Sequence, residues 1–522
     1  MTALVPHVPA LLIAVPLLGA FLAPIVGKLG RTTRNGFVAL VLLVTAALAA
    51  LLAVRFLGSN GSPILYVMGG PDGFAVPLPS GMATPIRIMF EIDAMNVFMV
   101  LITALVTLCA GLFSFRYLRD RSGGDLFYAL FLLLTTAILG LEVTGDLFNF
   151  FVFLEITSIA ACGLIGFQAW QKRAPEAAYK VMTMYTLAGI FVLLAIGLLY
   201  AEHGGLNMAY LASAIRGSVV DQVALTFLFV GLGMKAAAVP LHMWAPDAYG
   251  EAPAPVSAVL VVNSQASLYG LFRVMFTIYG GVANAVLLGW LIVALALVTI
   301  FVGVTVALLQ NDLKRLIAYG ALSQIGYMLL GVGVALVTIP TKPDFGFVAL
   351  QGGIFHMIND AACIGLLFLT AGAAIRAAGT RDLNRMGGLA HTMRLTSVLF
   401  IVGALALAGI PPFNGFASKF LIYEGSFQLN PFLAVVAVLS SILLLAVFLK
   451  AFQAVFLGPR PEGASVGGEA PLGMLVPMVV LAAVVIGFGL FPGFFVERIV
   501  TPAARALWYG RDAYIHAVLG GF

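Results

Sequence analysis

The sequence predicts an all-α protein that crosses a membrane about fourteen times. Of the 522 residues, 62% are hydrophobic and only 9% are charged, whereas soluble domains carry about 25% charged residues. The apolar residues lie in runs of about 20, the length of a helix that spans a bilayer. Two of these runs are interrupted by prolines, which predicts broken helices within the membrane. The sequence therefore indicates a polytopic membrane protein with little soluble mass.

The predicted spans follow one another with short connections. They are 8–27, 36–56, 94–115, 126–142, 146–168, 180–200, 222–243, 253–278, 284–309, 315–338, 347–375, 395–427, 431–457 and 471–492. The longest connections are 57–93, which is rich in glycine and proline, and 458–470, and neither is long enough for a separate domain. The tail 493–522 is mildly amphipathic, as are helices that lie on a membrane surface.

Lysines and arginines in short loops predict the orientation, because cytoplasmic loops carry the excess of positive charge. Loops after odd-numbered spans hold sixteen: Lys28, Arg31, Arg34, Arg116, Arg119, Arg121, Lys172, Arg173, Lys180, Lys314, Arg315, Arg376, Arg381, Arg385, Arg394 and Arg460. The opposite side holds seven: Arg55, Arg87, Arg216, Lys342, Arg498, Arg505 and Arg511. This bias places both termini outside the cytoplasm. It also accounts for the net charge of +5 without a nucleic-acid partner.

Two spans are broken at comparable places. Span 7 is interrupted within 232–244 and span 12 within 408–420, where prolines stand inside the apolar runs. Interrupted spans five helices apart that run in opposite directions indicate an inverted repeat. The expected organisation is 1–125 for the first three spans, 126–278 and 284–457 for two inverted five-helix repeats, and 458–522 for span 14 and the tail.

Ionisable residues inside these spans indicate an ion-handling site, because a charge within a bilayer is costly and usually functional. Lys235 stands five residues before Pro240 in span 7, and Glu155 is at the middle of span 5. A pair between Glu155 and Lys235 would keep both charged, and breaking it would favour proton release and uptake. The alternatives are a lysine that extends to the nearer interface and a static pair that fixes helix packing.

Further polar residues recur at similar depth and predict a polar axis along the membrane plane. They are Asn263, Ser264, Gln265 and Ser267 in span 8; Tyr319, Ser323, Gln324 and Tyr327 in span 10; His356, Asn359, Asp360 and Cys363 in span 11; and Lys419 in span 12. In span 11 these residues share one helical face. The alternative for each is a hydrogen bond that holds neighbouring helices together.

No cofactor, metal or nucleotide site is expected. Cys109, Cys162 and Cys363 are isolated, which argues against a disulfide framework or an iron–sulfur cluster. No two of the six histidines are spaced to share a metal on one helix, and there is no glycine-rich phosphate loop after a strand.

Six sequence blocks in order resemble the antiporter-like subunits shared by complex I, the energy-converting membrane hydrogenases and the Mrp cation/proton antiporters. They are DLFNFFVFLE; EAAYK; KAAAVPLHMWAPDAY with APAPVSA; QNDLKRLIAYGALSQIGY; HMIND with GLLFL; and GIPPFNGFASKF. The resemblance covers roughly residues 90–460. It implies fourteen spans with the inverted repeat and an ion path through the first repeat, along the central axis and out through the second.

The resemblance also implies roles, partners and a location. It marks Glu155, Lys235 and Lys419 as the matching charged positions, with His356 on the axis between them. From the residues themselves we expect Asp360 to join them in translocating protons, or sodium, along a path lined by His242, Gln265, Ser323 and Gln324. The chain would be a subunit beside other membrane subunits, including homologous ones, in the bilayer of a bacterial or archaeal cytoplasmic membrane. It would perform no redox chemistry itself and would serve as the ion-pumping subunit of an oxidoreductase complex. The alternatives are a subunit of an Mrp-type Na+/H+ antiporter, a standalone secondary transporter, and a structural subunit that has lost translocation.

The sequence departs from the family pattern at three positions. Gln265 stands where most members have a lysine in span 8, Gln324 where a histidine is common, and Ile364 where many have a lysine in span 11. His356 and Asp360 are four residues apart and can meet on one helical face. We therefore predict that they share a proton in place of the missing lysine. The alternative is that Asp360 caps a neighbouring helix and only His356 matters.

Overall fold

The computed structural model is a helical bundle whose elements follow the predicted apolar runs. It describes residues 5–59, 61–68, 76–77, 83–84, 88–282, 284–460 and 467–519. Arg87 and Phe522 therefore lie outside the described residues. Within those ranges, twelve helical segments are long and apolar enough to cross a membrane. The other two predicted spans, 7 and 12, are each divided into two helices, which confirms the prediction of two broken helices.

The helices of the first half are α1 (Val8–Gly27), α2 (Arg31–Gly58), α3 (Ala94–Tyr117), α4 (Gly124–Val143), α5 (Leu147–Ile165), α6 (Arg173–His203), α7 (Met208–Ala214), α8 (Val219–Lys235), α9 (Ala245–Glu251) and α10 (Ala254–Arg273). Those of the second half are α11 (Ala285–Leu309), α12 (Leu313–Thr338), α13 (Pro343–Ala378), α14 (Arg394–Ala408), α15 (Asn414–Leu429), α16 (Pro431–Phe452), α17 (Leu472–Leu490), α18 (Pro492–Phe495), α19 (Thr501–Trp508) and α20 (Arg511–Leu519).

In the parts of the connection between α2 and α3 that the structure describes, four short strands interrupt the helical pattern. They are β1 (Ile64–Val67), β2 (Val76–Pro77), β3 (Ala83–Thr84) and β4 (Met89–Ile92). β1 pairs antiparallel with β4, with Ile64 opposite Ile92, and β2 pairs antiparallel with β3. No strand was expected in this glycine- and proline-rich connection. The short runs flanking its glycines and prolines pair with each other, which satisfies their backbone groups.

Helix starts are set by capping side chains. Asp93 and Asn96 form a reciprocal capping box at the start of α3, and Asp146 accepts the backbone N–H of Asn149 at the start of α5. Asp312 accepts two backbone N–H groups at the start of α12. Such caps satisfy amide groups that have no partner within the helix.

The centre of the bundle is formed by α10, α12 and α13. The apolar stretches of α10 and α12 are completely buried, whereas only 33% of those of α1 and α2 are. The peripheral helices therefore offer much of their surface to lipid or to another protein, and the central three lie within protein. This places the polar residues of spans 8, 10 and 11 away from lipid.

The loops after odd-numbered spans contact one another on one side of the bundle, which we call the basic face. Two arginines there donate hydrogen bonds to carbonyl groups, Arg31 to that of Arg119 and Arg376 to that of Arg116. The others form ion pairs: Arg315 and Lys180 contact Asp247, and Arg381 contacts Glu251 and Asp312. The other side carries β1 and β4, and we call it the hairpin face. There Arg273 forms a two-bond ion pair with Asp93, at 2.7 and 2.9 Å.

Burial perturbs one carboxyl group of the hairpin face, that of Glu91 in β4. The residue is fully buried, and Asn207 donates a hydrogen bond of 2.5 Å to its Oε1. Burial raises the pKa of Glu91 to about 7 in spite of that hydrogen bond and the nearby Arg273 charge.

Candidate functional site

The break in span 7 ends α8 at Lys235. Pro240 removes a backbone donor, and Ala237 lies in the left-handed region with φ of 65°, a conformation uncommon for a residue with a Cβ. The groups freed by the break find new partners: the Trp244 indole donates to the Met234 carbonyl at 2.9 Å, and the Val239 N–H donates to Thr299 at 3.2 Å. A broken helix inside the bundle is stable because its backbone is satisfied in this way.

Lys235 is fully buried and has three polar partners, all on α5. Its Nζ donates to Ser158 Oγ at 2.6 Å, to the Leu154 carbonyl at 2.8 Å and to Glu155 Oε1 at 3.3 Å. The Tyr185 ring lies below the ammonium, 4.9 Å from Nζ to the ring centroid. The predicted contact between Glu155 and Lys235 is therefore present in the structure.

Glu155 is more accessible than its partner, since 32% of its side chain is exposed and that of Lys235 is 0% exposed. Gly189 on α6 leaves room for the carboxylate, because a Cβ there would stand 2.4 Å from Glu155 Oε1. The pair thus joins a buried ammonium to a carboxylate that reaches the protein surface.

Polar contacts continue from Lys235 into α10. The Tyr185 hydroxyl, under the lysine, accepts a hydrogen bond of 3.2 Å from Asn263 Nδ2. On the same helix Ser264 bonds to the Tyr249 hydroxyl at 2.7 Å. Asn263, Ser264 and Gln265 are all buried. Asn263 therefore connects span 8 to the lysine site through Tyr185.

One hydrogen bond joins α10 to α13. Gln265 Nε2 donates to Asp360 Oδ2 at 2.9 Å, and both side chains are buried. Gln265 Oε1 and Asp360 Oδ1 have no hydrogen-bond partner among the described residues. An unpartnered buried oxygen is costly, so each of these oxygens would be stabilised by a water molecule that donates a hydrogen bond to it.

His356, one helical turn from Asp360, points to other neighbours. Its Nδ1 bonds to Ser418 Oγ at 2.9 Å and its Nε2 to Gln324 Oε1 at 3.1 Å. Gln324 in turn donates to Ser323 Oγ at 2.6 Å. The expected direct contact between His356 and Asp360 is therefore wrong for this structure. Both ring nitrogens are taken by α12 and α15, while the carboxyl group turns toward α10.

Lys419 stands just after the break in span 12. Its Nζ donates to the Leu407 carbonyl, which the break leaves free, at 2.8 Å and to Ser441 Oγ at 3.0 Å. Its ammonium lies 4.3 Å from the centroid of the Tyr327 ring. Within the described part of the chain no carboxylate oxygen lies within 4 Å of it. Lys419 thus differs from Lys235, which has Glu155.

The second break depends on glycine at two positions. Gly409, at the end of α14, has φ of 79°, which residues with a side chain rarely adopt. Gly415, in the first turn of α15, packs so closely that a Cβ would stand 1.8 Å from the Ala406 carbonyl oxygen. These glycines let the two half-helices approach, and this contact positions Lys419.

His242 is placed apart from the other predicted residues. It lies in the turn between α8 and α9, is partly exposed, and its Nδ1 has no hydrogen-bond partner among the described residues. The structure therefore brings Glu155 together with Lys235, Gln265 with Asp360, and Ser323 and Gln324 with His356, but places His242 at the edge.

The structure adds residues that the sequence reasoning missed. Ser158, one turn after Glu155, and Tyr185 complete the surroundings of Lys235, and Ser418 and Ser441 do the same for His356 and Lys419. A serine one helical turn from a candidate carboxylate was the available signal for the first of these. The others come from helices distant in sequence, which spacing alone does not bring together.

One cluster has the composition of a metal site. Ligand atoms of Glu202, His203 and Asp221 lie within 4.8 Å of one another. His203 Nε2 bonds to Asp221 Oδ1 at 2.7 Å, and Asp221 Oδ2 accepts three backbone N–H groups at the start of α8. These contacts account for the cluster as a helix cap with an attached ion pair.

Comparison with known proteins identifies the family. Residues 144–444 match the family model described as NADH:quinone oxidoreductase/Mrp antiporter, TM. The chain is 36% identical to NADH-quinone oxidoreductase subunit N of Desulforudis audaxviator, over 93% of this chain and 96% of that protein.

Two solved structures have the same fold. A chain of the Mrp complex from Dietzia sp. superposes with a TM-score of 0.85 at 27% identity, over 100% of both chains. A chain of the membrane-bound sulfane sulfur reductase, an archaeal respiratory membrane complex, superposes with a TM-score of 0.86 at 29% identity, over 98% of this chain and 99% of that one. The chain belongs to the NADH:quinone oxidoreductase/Mrp antiporter membrane-subunit family.

Proposed function

We propose that this chain is the ion-translocating subunit of a multisubunit membrane complex and that it conducts protons, with sodium as the alternative. The observation that carries the proposal is the fully buried Lys235 at a helix break, in contact with the partly exposed Glu155. An ionisable group held in the interior of a membrane protein is a functional site by default. The competing explanation is that Lys235 and Glu155 form a static structural pair. In that case, replacing either residue with a neutral one would leave transport intact.

The proposed route follows the contacts from Lys235 to Lys419. It runs past Tyr185 to α10, crosses to α13 through Gln265 and Asp360, and continues through His356. About one helical turn separates Asp360 from His356, a gap that a bridging water molecule covers. Two of the three departures from the family pattern, Gln265 and Gln324, lie on this route. Gln265 orients the Asp360 carboxyl where other members have a lysine.

The complex that we propose is related to complex I or to the energy-converting hydrogenases. Other membrane subunits, including homologous antiporter-like ones, are its expected neighbours, and redox chemistry belongs to those partners. A subunit of an Mrp-type Na+/H+ antiporter is the second candidate, favoured by full-length superposition on a chain of an Mrp complex. A standalone transporter would keep its activity when purified alone, whereas a subunit would lose it.

We further propose that the chain contains two inverted repeats, 126–278 and 284–457, flanked by 1–125 and 458–522. The two breaks, five spans apart and each adjoining a buried lysine, support this division.

The excess of arginine and lysine on the basic face supports an orientation with both termini outside a bacterial or archaeal cytoplasmic membrane. A reporter active only in the cytoplasm should stay silent when fused after Phe522, and a strong signal would contradict the orientation.

The test of the function is Lys235→Ala in the assembled complex. We expect coupled ion transport to be lost while the subunits remain assembled on a native gel, because the chargeable group at the break is gone. Lys450→Ala is a matched control, since Lys450 donates to carbonyl groups of Leu308 and Gln310 at the basic face and lies off the route. Transport at the wild-type rate in Lys235→Ala would show that the site is structural.

A further inference from the structure

A cavity lies at the basic face, away from the proposed ion route. It has a volume of about 760 Å³ and opens between the first turn of α2, the last turns of α3 and the start of α4. Arginines dominate its polar lining: Arg31, Arg34, Arg116, Arg119 and Arg121. Nothing in the proposed transport function uses this group.

Only one of the five guanidinium groups has an acidic partner. Arg34 is buried, bonds to Asp125 at 2.7 Å and lies over the Tyr128 ring at 4.9 Å. In the described part of the chain none of the other four lies within 4 Å of a carboxylate oxygen. The nearby Asp120 is taken by Arg376 at 2.8 Å.

Two of the four unpaired arginines are held in place by contacts with the protein. Arg31 donates to the Arg119 carbonyl at 2.7 Å, and Arg121 stacks over Trp170 with its guanidinium carbon 5.3 Å from the ring centroid. Positive charges fixed around one space repel each other. An anion with more than one negative charge would relieve this repulsion, and guanidinium groups bind phosphate oxygens in pairs of hydrogen bonds.

Beside Thr32, Asn35 and Tyr128, the remaining lining of the cavity includes apolar side chains. Ala39, Leu112 and Phe115 line it. One turn further along α2, Leu40 and Leu43 are 59% and 52% exposed. The arginines stand at helix ends, the depth of lipid headgroups, and the apolar side chains run toward the hydrocarbon region. Charge at one end and apolar surface at the other are complementary to an anionic amphiphile.

We propose that this cavity binds the headgroup of an anionic phospholipid with two phosphates, of the diphosphatidylglycerol type, with an acyl chain along Leu40 and Leu43. Four unpaired arginines supply two guanidinium groups for each phosphate. A free inorganic anion would leave the apolar half unused. An acidic loop of a partner subunit is the competing occupant, and the experiment separates these cases.

The experiment measures lipid binding to the purified, delipidated complex by native mass spectrometry. Tetraoleoyl diphosphatidylglycerol is titrated beside dioleoyl phosphatidylcholine and inorganic pyrophosphate. The cavity variant carries Arg31→Gln, Arg116→Gln and Arg119→Gln. The matched control carries Lys172→Gln, Arg173→Gln and Arg394→Gln, which remove the same charge from exposed positions of the basic face outside the cavity.

We expect diphosphatidylglycerol to bind saturably to the wild type and the control, and about 100-fold more weakly to the cavity variant, since each basic residue near an anionic lipid contributes roughly fivefold. Unchanged affinity in the cavity variant overturns the proposal. Displacement of the lipid by pyrophosphate at equal concentration would identify a free-anion site instead. Loss of a partner subunit with unchanged lipid binding would identify a protein interface.

A single substitution keeps the test valid if the triple variant fails to assemble. The Arg119 side chain makes no hydrogen bond within the described residues, so Arg119→Gln should assemble normally. We expect a loss of roughly fivefold in lipid affinity, and wild-type affinity in this variant would contradict the proposal.

Discussion

Glu155→Gln isolates the contribution of charge at the lysine site. Glutamine keeps the oxygen that accepts from Lys235 and removes the negative charge. At 3.3 Å between Nζ and Oε1, the attraction is about 5 kcal/mol at an effective dielectric constant of about 20 and about 1.3 kcal/mol in water. Because glutamine still offers its amide oxygen to the ammonium, only part of this attraction is lost, about 2–3 kcal/mol.

That loss leaves the buried ammonium with neutral hydrogen-bond partners only, which are Ser158, the Leu154 carbonyl and the glutamine amide oxygen. A free-energy change of about 2–3 kcal/mol corresponds to a factor of about 30–150. We therefore expect transport to fall at least tenfold. The assay follows acridine orange fluorescence in inverted membrane vesicles that contain the assembled complex, after addition of sodium or of an electron donor.

Glu176→Gln is the matched control for this prediction. Glu176 contacts Lys180 at 2.7 Å, but their side chains are 61% and 45% exposed, and such surface pairs contribute little. The control should transport at the wild-type rate. If Glu155→Gln also did so with normal subunit content, the pair would be a packing element, and the reasoning from its charge would be refuted.

Three further predictions concern the axis and the hairpin face. Gln265→Ala should impair transport less than Lys235→Ala, because glutamine carries no ionisable proton, and an equal loss in vesicle assays would show that span 8 does more than orient Asp360. Asp360→Asn and His356→Ala should each transport ions more slowly than the wild type, and the double variant should be no slower than the slower single variant. Normal transport by Asp360→Asn would leave His356 alone on the route. Finally, the stability contributed by neutral Glu91 is fully present below about pH 4.5 and lost as the pH rises through about 7. Glu91→Gln should therefore be more stable than the wild type at about pH 8, by up to about 3 kcal/mol, and should show no such gain at about pH 5. Thermal unfolding of the complex at both pH values measures this, and a pH profile identical to that of the wild type would contradict the assignment.

Most of the helices could be predicted from the sequence because the apolar runs are long and separated by short polar connections. The two breaks could be predicted for the same local reason, since Pro240 and the prolines at 411–412 stand inside such runs. The strand pair β1–β4 could not, because its partners are separated by a long glycine- and proline-rich segment and pair only in the folded chain.

The ionisable residues of the candidate site could be predicted from the sequence, whereas most of their contact partners could not. Lys235 and Glu155 are conspicuous because charges in apolar runs are rare. His356 and Asp360 share a helical face, yet their side chains turn to different neighbours, and spacing on one helix does not determine which neighbouring helix a side chain reaches. Tyr185 and Ser441 contribute through tertiary packing alone.

The central claim is that one continuous route joins the two buried lysines. It is tested most directly by measuring ion transport in the assembled complex carrying Lys235→Ala, Lys419→Ala and both substitutions. A single route in series predicts that either substitution alone already abolishes transport and that the double variant is no different. Two separate routes predict that each single variant keeps about half of the wild-type rate and that only the double variant is inactive, a result that would contradict the account.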